Sequence, residues 1–307
     1  MKGRFHVEQN TKNDLKFIEQ CPVCGHRENK LFLKTKDYFL TGEEFDLVQC
    51  AACSFVYTNP VPEEKHIFSY YDSPEYSSHE LKKYSLFNSI YAKARRINIR
   101  NKYRIISGYK KTGSILDVGC GTGELLKYFR DKEWKTTGIE PVKKAREFAI
   151  NQNKLQVFAE EKLNDFENAA FDVITMWHVL EHVYKLNERI EELKRILKPD
   201  GVLIIAVPMI DAYDAVHYGP YWGALDVPRH LYHFSQKTLA HLLEKHALTI
   251  DKSYPMKMDA YYVSLLSERY KHAGAAYLKA FSIGFTSNRK ANASGTYSSM
   301  LFAVRKN

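Results

Sequence analysis

The sequence predicts an α/β protein whose largest part is a doubly wound, mostly parallel sheet. In the last two thirds of the chain, short apolar strands alternate with amphipathic helical stretches, as in consecutive strand-helix-strand units. The first of these strands, residues 114–118, runs into a loop with Gly119, Gly121 and Gly123, and a helical run begins at Glu124. Because glycines allow a tight turn and let a flat ligand approach the backbone, this loop is predicted to cradle a ligand.

The other elements of the sheet domain follow from the same alternation. Apolar runs of strand length are bounded by turn residues, and the helical stretches carry apolar residues at helical spacing. The predicted strands cover residues 135–139, 155–158, 171–176, 202–207, 248–253 and 298–305. The predicted helices cover residues 124–132, 142–151, 188–197, 236–246 and 260–281, and a loop is predicted at 288–295.

Four of the five cysteines form two C-x-x-C pairs separated by 25 residues: Cys21, Cys24, Cys50 and Cys53. Each pair makes a knuckle whose two thiolates reach one ion, and two knuckles complete the closed tetrahedral site that zinc prefers. Short strands predicted at residues 31–33 and 45–49 suit a zinc ribbon. We therefore expect a structural zinc, with four buried or redox-active cysteines as the alternative.

Length and composition limit the class of protein. A chain of 307 residues with 45% hydrophobic residues suggests about two folded domains. The longest apolar run, residues 202–207, is far too short to span a membrane, and no apolar leader segment follows Lys2 and Arg4. We therefore expect a cytoplasmic protein without a membrane span.

The chain is predicted to divide into three regions: a zinc-ribbon domain at residues 1–62, a basic and aromatic helical linker or lid at 63–110, and the sheet domain at 111–307. The linker begins with a cluster of aromatic residues: Phe68, Tyr70, Tyr71 and Tyr76. This cluster either packs as a helix on the sheet domain or forms a lid over a bound ligand. In the second case Tyr71 is a candidate contact to the substrate.

The net charge of +9 is concentrated in one segment. Residues 81–111 contain ten Lys or Arg and no Asp or Glu, which leaves the rest of the chain close to neutral. The segment is predicted to form one or two helices with a solvated basic face. The alternative is a surface for phosphate groups of a nucleic acid, a nucleotide-linked molecule or an anionic lipid.

Glu140 narrows the class of ligand. It ends the second predicted strand, 21 residues after Gly119, where a carboxylate can accept both hydroxyls of a ribose. The dinucleotide spacing G-x-G-x-x-G is not met because the glycines run as G-x-G-x-G, and no Gly-Lys-Ser/Thr follows as in a P-loop. The sequence thus predicts a ligand that contains a nucleoside but is bound neither as a dinucleotide nor by a P-loop.

Four motifs in order resemble the class I S-adenosylmethionine-dependent methyltransferases. They are Asp-Val-Gly-Cys-Gly-Thr-Gly at 117–123, Gly-Ile-Glu-Pro at 138–141, Phe-Asp-Val-Ile-Thr-Met-Trp-His-Val-Leu-Glu-His-Val at 171–183 and Leu-Lys-Pro-Asp-Gly-Val-Leu at 197–203. The resemblance implies a Rossmann-like sheet domain with S-adenosylmethionine as cofactor.

The resemblance also implies a role for residues within these motifs. The methionine part of the cofactor is assigned to Asp117 and to the loop formed by Gly119, Cys120, Gly121 and Gly123. The remaining assignments are Glu140 and its neighbour Pro141 at the ribose, Glu160 and Glu161 at the adenine, and Trp177 and His178 beside the sulfonium.

The whole chain is also similar to bacterial methyltransferases that carry an N-terminal zinc ribbon and the sequence Asp-Val-Pro-Arg-His-Leu-Tyr-His-Phe-Ser, here residues 226–235. This resemblance implies a small-molecule acceptor, such as a sugar or sugar nucleotide. The acceptor pocket is then expected at residues 211–235. Its aromatic side chains, among them Trp222, would form the walls, and Arg229 would bind a carboxylate or phosphate of the acceptor.

His230 and His233 are candidates for proton removal from the acceptor, and His178 is a further catalytic candidate beside the sulfonium. A general base need not exist, because methyl transfer is an in-line displacement on an activated sulfonium. Alignment of the reactants and exclusion of water can carry much of the rate.

The run from His178 to His182 also fits the H-x-x-E-H motif of one class of zinc proteases. It follows a predicted buried strand of the sheet, so a protease site is the least favoured interpretation. Two other interpretations of this run stay open. Glu181 and His182 either bind a divalent ion near the acceptor or orient the loop by hydrogen bonds.

Taken together, the sequence predicts an S-adenosylmethionine-dependent methyltransferase that acts on a small molecule by in-line methyl transfer. One alternative is an RNA methyltransferase that holds RNA with the zinc ribbon and the basic segment 81–111. The other is a scaffold that binds the cofactor without turnover. The predicted helix 260–281 and loop 288–295 would cover the acceptor side.

Overall fold

The computed structural model describes residues 15–71, 86–272 and 276–307, and only the backbone of residues 86–94. Its strands are β1 (Leu15–Lys16), β2 (Asn29–Lys36), β3 (Glu44–Cys50), β4 (Val56–Thr58), β5 (Val61–Pro62), β6 (Ser114–Val118), β7 (Lys135–Ile139), β8 (Val157–Phe158), β9 (Phe171–Trp177), β10 (Leu197–Pro208), β11 (Tyr232–His233), β12 (Leu248–Pro255) and β13 (Ser299–Lys306).

The α-helices are α1 (Leu86–Tyr109), α2 (Glu124–Arg130), α3 (Lys143–Asn151), α4 (Leu186–Ile196), α5 (Tyr213–Tyr218), α6 (Gln236–Lys245), α7 (Asp259–His272) and α8 (Tyr277–Ser294). Short 3₁₀ helices lie at Glu64–Tyr70, Glu160–Asp165, Leu180–His182 and Gly219–Tyr221. Within the described residues, no helix is both long enough and apolar enough to cross a membrane.

The main sheet has seven strands in the order β12-β13-β10-β9-β6-β7-β8. The five strands from β10 to β8 pair in parallel, and β13 and β12 complete the sheet as antiparallel strands. The predicted mostly parallel, doubly wound fold is therefore confirmed. The connection order reverses between β6 and β9, and in such sheets a ligand binds beyond the carboxyl ends of the strands at that reversal.

Both faces of the main sheet are buried. Successive strand residues point to opposite faces, so Ile115 and Val173 belong to one core and Leu116 and Ile174 to the other. The first core is covered by α1, whose Ile106 is fully buried in it. The second core continues without a break into residues of the cysteine-bearing region.

That region shares a sheet with the rest of the protein. A second sheet has the order β11-β4-β3-β2, in which β11, from far along the chain, pairs antiparallel with β4. Tyr232 lies opposite Tyr57, and His233 lies opposite Val56. The predicted regions 1–62 and 111–307 are thus joined by backbone hydrogen bonds as well as by a common core.

A buried arginine reinforces this junction. Arg229 is 1% exposed, and its Nη2 lies 2.7 Å from a carboxylate oxygen of Asp37 and 2.7 Å from one of Asp226. Its Nη1 donates to the backbone carbonyl of Tyr70 at 2.9 Å. One guanidinium therefore connects the loop after β2, the first part of the linker and the segment before β11.

The C-terminal helices differ from the prediction. The single helix expected at 260–281 is two helices, α7 and α8, and the loop expected at 288–295 is the last part of α8. Gly284 explains much of the error, because a glycine lowers helix propensity in a sequence pattern. In the fold, a Cβ at Gly284 would lie 2.8 Å from the Tyr261 ring, so the glycine permits close packing of α8 against α7.

Replacement of Arg229 by Met is expected to lower the free energy of unfolding by about 3–5 kcal/mol, because Asp37 would remain buried without its cation. Urea unfolding followed by circular dichroism measures the change. The exposed Arg104 provides a matched control, and Arg104→Met should shift the value by less than about 0.5 kcal/mol. Equal effects of the two substitutions would show that the buried guanidinium has no special role.

Candidate active site

The glycine loop connects β6 to α2 and has an open side. Gly119 and Gly123 have φ angles of 75° and 77°, and a Cβ there would lie 2.4 Å from Val179 and 2.3 Å from Leu155, respectively. Gly121 has a φ angle of 55°, but a Cβ there would meet nothing within 4 Å. Two glycines thus allow close packing, and the third faces open space where a ligand can lie against the backbone.

Glu140 fixes this loop to the neighbouring strand. It follows β7 and is 6% exposed. One carboxylate oxygen accepts the N–H of Gly121 at 2.7 Å, and the other accepts the N–H of Val142 at 2.9 Å. Burial raises the pKa of Glu140, and the two backbone N–H groups oppose that rise. Since a carboxylate offers about four acceptor positions, capacity remains for the two hydroxyls of a ribose.

Asp117 and Lys102 lie at the other end of the loop. The Asp117 carboxylate accepts the Thr175 hydroxyl at 2.6 Å, and burial raises its pKa to about 7. Lys102 of α1 places its ammonium 3.7 Å from the centre of the Trp177 ring, and burial lowers its pKa to about 8. Lys102 is therefore a poorly solvated cation beside the loop, and it is a candidate to hold an anionic end of the ligand.

Lys102 was not among the residues predicted for the site. It belongs to the basic segment 81–111, whose charges were expected to face solvent. The position of Lys102 on the helix could have identified it. Lys102 comes three residues after Ile99 and four residues before the buried Ile106, so it lies on the same helical face as these two residues. A lysine on the inward face of an amphipathic helix differs from its solvent-facing neighbours.

The structure divides the other charges of that segment. Arg95 pairs with Glu124 at 2.6 Å, and Lys110 pairs with Asp200 at 2.5 Å. Three exposed arginines, each one helical turn from the next, have no ion pair among the described residues: Arg96, Arg100 and Arg104. Lys82, Lys83 and the side chain of Lys93 lie outside the described part of the chain, as does Tyr76 of the predicted lid.

A cavity of about 330 Å³ opens beside Trp177. It lies between α1 and the segment that connects β12 to α7, and its lining includes Asn98, Asn101, Lys102, Tyr254, Met256 and Asp259. The indole Nε1 of Trp177 is buried and has no hydrogen-bond partner. A ligand in this space would therefore lie beside the Trp177 ring and Lys102.

His178 follows β9 and has a constrained position. Its φ angle is 55°, and its backbone N–H donates to the carbonyl of Ala206 at 2.9 Å. The ring Nε2 lies 3.2 Å from Asp259, and Nδ1 lies 3.5 Å from Glu181. Burial lowers the pKa of His178, but the two carboxylates outweigh it and raise the value to about 9. His178, predicted to lie beside the sulfonium, is thus held between two carboxylates that favour its protonated form.

A cluster of polar residues lies next to His178, and we call Tyr71, Glu181, His182 and His230 the acceptor cluster. The Tyr71 hydroxyl lies 2.9 Å from Nδ1 of His182, and the rings of His182 and His230 have centroids 4.6 Å apart. Burial lowers the pKa of His182 to about 4, so this imidazole is neutral. The structure thus brings the predicted residues Tyr71 and His230 together at the carboxyl end of β9.

The structure places three other predicted residues in the protein interior. His233 contacts the Thr58 hydroxyl through Nε2 at 3.1 Å, and burial lowers its pKa to about 3. Trp222 donates to the Asp214 carboxylate at 2.9 Å. Arg229, predicted to bind the acceptor, is already occupied by two carboxylates. These contacts favour structural roles for the three residues.

The predicted adenine contacts lie in the 3₁₀ helix after β8. Glu161 is exposed there, whereas Glu160 is paired with Arg189. Cys120 is half-buried in the glycine loop, and burial raises the pKa of its thiol. Pro141 is exposed next to Glu140, and its carbonyl accepts from Arg146 at 3.0 Å.

The four paired cysteines converge although they come from two separate turns. The sulfur of Cys21 lies 3.5 Å from that of Cys53, and the same distance separates Cys24 from Cys50. Zinc bonds of about 2.3 Å in a tetrahedron place thiolates about 3.8 Å apart, so the donor set fits a zinc ion. The backbone N–H groups of Val23 and Cys24 also hydrogen-bond the Cys21 sulfur.

Comparison with known proteins gives the family. Residues 91–253, more than half of the chain, match the family model described as a methyltransferase domain, and the chain belongs to that family. With its seven-stranded sheet and glycine loop, it is a class I S-adenosylmethionine-dependent methyltransferase by fold, as the sequence motifs implied.

The chain is similar to several curated proteins over its central part. An uncharacterised protein of Methanocaldococcus jannaschii is 34% identical over 119 residues, which is 36% of this chain and 46% of the relative. The ubiquinone biosynthesis O-methyltransferase of Actinobacillus pleuropneumoniae serotype 5b is 33% identical over 136 residues, 40% of this chain and 58% of the relative. The matches thus span about half the length of these relatives.

Solved structures with similar folds are more distant in sequence. A methyltransferase of Archaeoglobus fulgidus described as S-adenosylmethionine-dependent has a TM-score of 0.46 and 16% identity, covering 73% of this chain and 100% of that one. A protein of Pyrococcus horikoshii has a TM-score of 0.46 and 15% identity, covering 69% and 91%.

Lys102→Gln is expected to weaken binding of S-adenosylhomocysteine about 10- to 100-fold, because a buried charge-assisted contact to the carboxylate of the ligand's amino-acid part is lost. Calorimetry should show no comparable change for 5′-methylthioadenosine, which lacks the amino-acid part. Wild-type affinity for S-adenosylhomocysteine should also fall as the pH rises above about 8, where Lys102 loses its proton.

Lys102→Arg is the matched control for this titration. It keeps its charge at high pH, so any decline that remains in this variant belongs to the ligand or to another group. If both ligands lose affinity equally in Lys102→Gln, Lys102 supports the site without contacting the carboxylate.

Proposed function

We propose that this protein transfers a methyl group from S-adenosylmethionine to a hydroxyl oxygen of a small molecule. The observation that carries the proposal is the acceptor cluster, which lies at the carboxyl end of β9 next to His178. The open cradle at Gly121 and the Glu140 carboxylate lie at the ends of the neighbouring strands β6 and β7. The relatives named as ubiquinone biosynthesis O-methyltransferases support oxygen as the acceptor atom.

The protein's own contribution to cofactor binding is to hold the cofactor in one orientation. Glu140 would accept the ribose hydroxyls, Lys102 would hold the carboxylate, and the backbone at Gly121 would line the intervening part. When bound, S-adenosylmethionine supplies a methyl group already activated on a sulfonium. Fixing the acceptor oxygen in line with that methyl group converts a bimolecular reaction into an oriented, effectively unimolecular one.

On the acceptor side of the site, the proton of the acceptor hydroxyl must be removed as the new carbon–oxygen bond forms and the carbon–sulfur bond breaks. Both ring nitrogens of His178 already face carboxylates, those of Glu181 and Asp259. Glu181, His182 and His230 each carry an electron pair in the same small space, and we infer that this trio activates the hydroxyl. The expectation of a sugar or sugar nucleotide remains a finer proposal, for which the comparisons with other proteins offer no support.

We further propose that the four paired cysteines hold a structural zinc ion. The short sulfur–sulfur distances support this, as does the closed set of four thiols. The ion would keep the two turns together at the end of β3 and thereby hold β4 in place for its pairing with β11.

Methyl transfer is tested with S-adenosylmethionine labelled in its methyl group and a deproteinised small-molecule extract from the source cells. We expect the label in a small product with an alkali-stable ether bond. His230→Gln should lower the rate about 10²- to 10⁴-fold while the affinity for S-adenosylhomocysteine stays within about twofold. His241→Gln, an exposed histidine on α6, is the matched control and should retain full activity.

Two outcomes of that experiment would reject the proposal. Label that appears only in a nuclease-sensitive fraction would favour the RNA methyltransferase. Tight binding of S-adenosylhomocysteine without any labelled product, in extracts that support other methyltransferases, would favour the non-catalytic scaffold.

Replacement of Cys21 and Cys24 by Ser is expected to remove one zinc per chain, measured by elemental analysis of the dialysed protein. Cys120→Ser should leave the zinc content unchanged, since Cys120 lies in the glycine loop. Zinc retained by the double variant would mean that the ion is held elsewhere.

A further inference from the structure

The Glu181 carboxylate has an unusual environment. The residue is 0% exposed, and neither carboxylate oxygen has a hydrogen-bond partner. The nearest ionic contact among the described residues is Nδ1 of His178 at 3.5 Å. Leaving a buried carboxylate without hydrogen bonds is costly, and in proteins such groups are paired or bind metals. Besides the ionic contact with His178, the carboxylate oxygens keep acceptor capacity for a further partner.

Nδ1 of each histidine faces a backbone carbonyl. Nδ1 of His182 lies 3.0 Å from the carbonyl of Arg229 and 2.9 Å from the Tyr71 hydroxyl, and Nδ1 of His230 lies 2.9 Å from the carbonyl of Ala224. Because a carbonyl can only accept, the tautomer that satisfies each carbonyl has its proton on Nδ1 and leaves an electron pair on Nε2. Metal-binding histidines are commonly held in this way, with the second ring nitrogen donating to a carbonyl or carboxylate.

The three side chains converge. One ligand atom from each of Glu181, His182 and His230 lies within 4.8 Å of the others. The two segments that carry them are also joined by the backbone, since the N–H of Leu231 donates to the carbonyl of Glu181 at 2.8 Å. The donor atoms are thus positioned by the fold before any ligand arrives.

We propose that Glu181, His182 and His230 bind a divalent transition-metal ion. Two imidazoles and one carboxylate suit ions such as Zn²⁺, Mn²⁺, Fe²⁺ or Co²⁺, whereas Mg²⁺ prefers an all-oxygen set. Three protein ligands leave coordination positions open, unlike the closed four-cysteine site. These positions suit a hydroxyl oxygen of the acceptor, and that part of the inference rests on the proposed function.

Charged groups around the cluster are compatible with a cation. Asp226 lies 4.0 Å from Nε2 of His230 but is engaged by Arg229, and His178 is shared between Glu181 and Asp259. Tyr71 contacts His182 from the linker. The site is therefore enclosed by groups from the linker, from the turn after β9 and from the segment before β11.

The test uses the full chain, dialysed with Co²⁺ and then analysed for total bound zinc and cobalt. We expect two metal ions per chain in the wild type and one in Glu181→Gln and in His230→Gln, with Co²⁺ affinity reduced about 100-fold or more. Cobalt at this site should show no thiolate-to-metal charge transfer, which separates it from cobalt that exchanges into the cysteines. His241→Gln should keep both ions.

Binding of S-adenosylhomocysteine shows whether each variant is folded. Absence of Co²⁺ without thiolate charge transfer from the folded wild type, or its persistence in both folded variants, would overturn the proposal. Displacement of Co²⁺ by an equal concentration of Mg²⁺ would overturn the assignment to a transition metal. Co²⁺ binding needs no acceptor, so methyl transfer by a folded protein that binds no such Co²⁺ would reject this site alone. Co²⁺ bound at this site without methyl transfer would reject the proposed function alone.

Discussion

The buried guanidinium of Arg229 is the contact on which the acceptor half of the protein depends. Its side chain binds Asp37 in the cysteine-bearing region and the carbonyl of Tyr70 in the first part of the linker. Its own carbonyl accepts from His182. One residue therefore sets the positions of the linker, of the turn after β9 and of the adjacent His230. A charge that has been removed from water is stable only with all of its partners in place, so these segments form a single arrangement.

The cofactor half depends on a different constraint, which is local. Gly121 and Glu140 follow adjacent parallel strands, and the hydrogen bond from the Gly121 N–H to the Glu140 carboxylate needs only the sheet register to be correct. The sequence motifs therefore predicted that the glycine loop and Glu140 lie together at the ends of these strands. The same holds for the four cysteines, because the C-x-x-C spacing itself creates each knuckle. Such features depend on neighbours in the chain or in the sheet, which a single sequence displays.

The acceptor half could be predicted only in part. The aromatic and histidine-rich segment at 211–235 was predicted to form the acceptor pocket, but its sequence pattern does not show which side chains are buried in the protein core. Arg229 and His233 are residue types that often bind ligands. In the fold, Arg229 instead contacts Asp37 and His233 contacts Thr58, each more than 170 positions away in sequence. Lys102 was missed for the opposite reason, since the surrounding positive charges concealed its inward position. Long-range packing decides all three cases.

The pairing of β4 with β11 bears on how such proteins diversify. A small metal-bound domain is usually regarded as a detachable module that can be exchanged between enzymes. Here its sheet is completed by a strand from the partner domain, and separating the two would expose an unpaired edge on each side. An exchange of the cysteine-bearing region would therefore have to carry residues 226–235 with it. Such an exchange would replace Arg229 and His230 together with the cysteines and leave the glycine loop and Glu140 as they were.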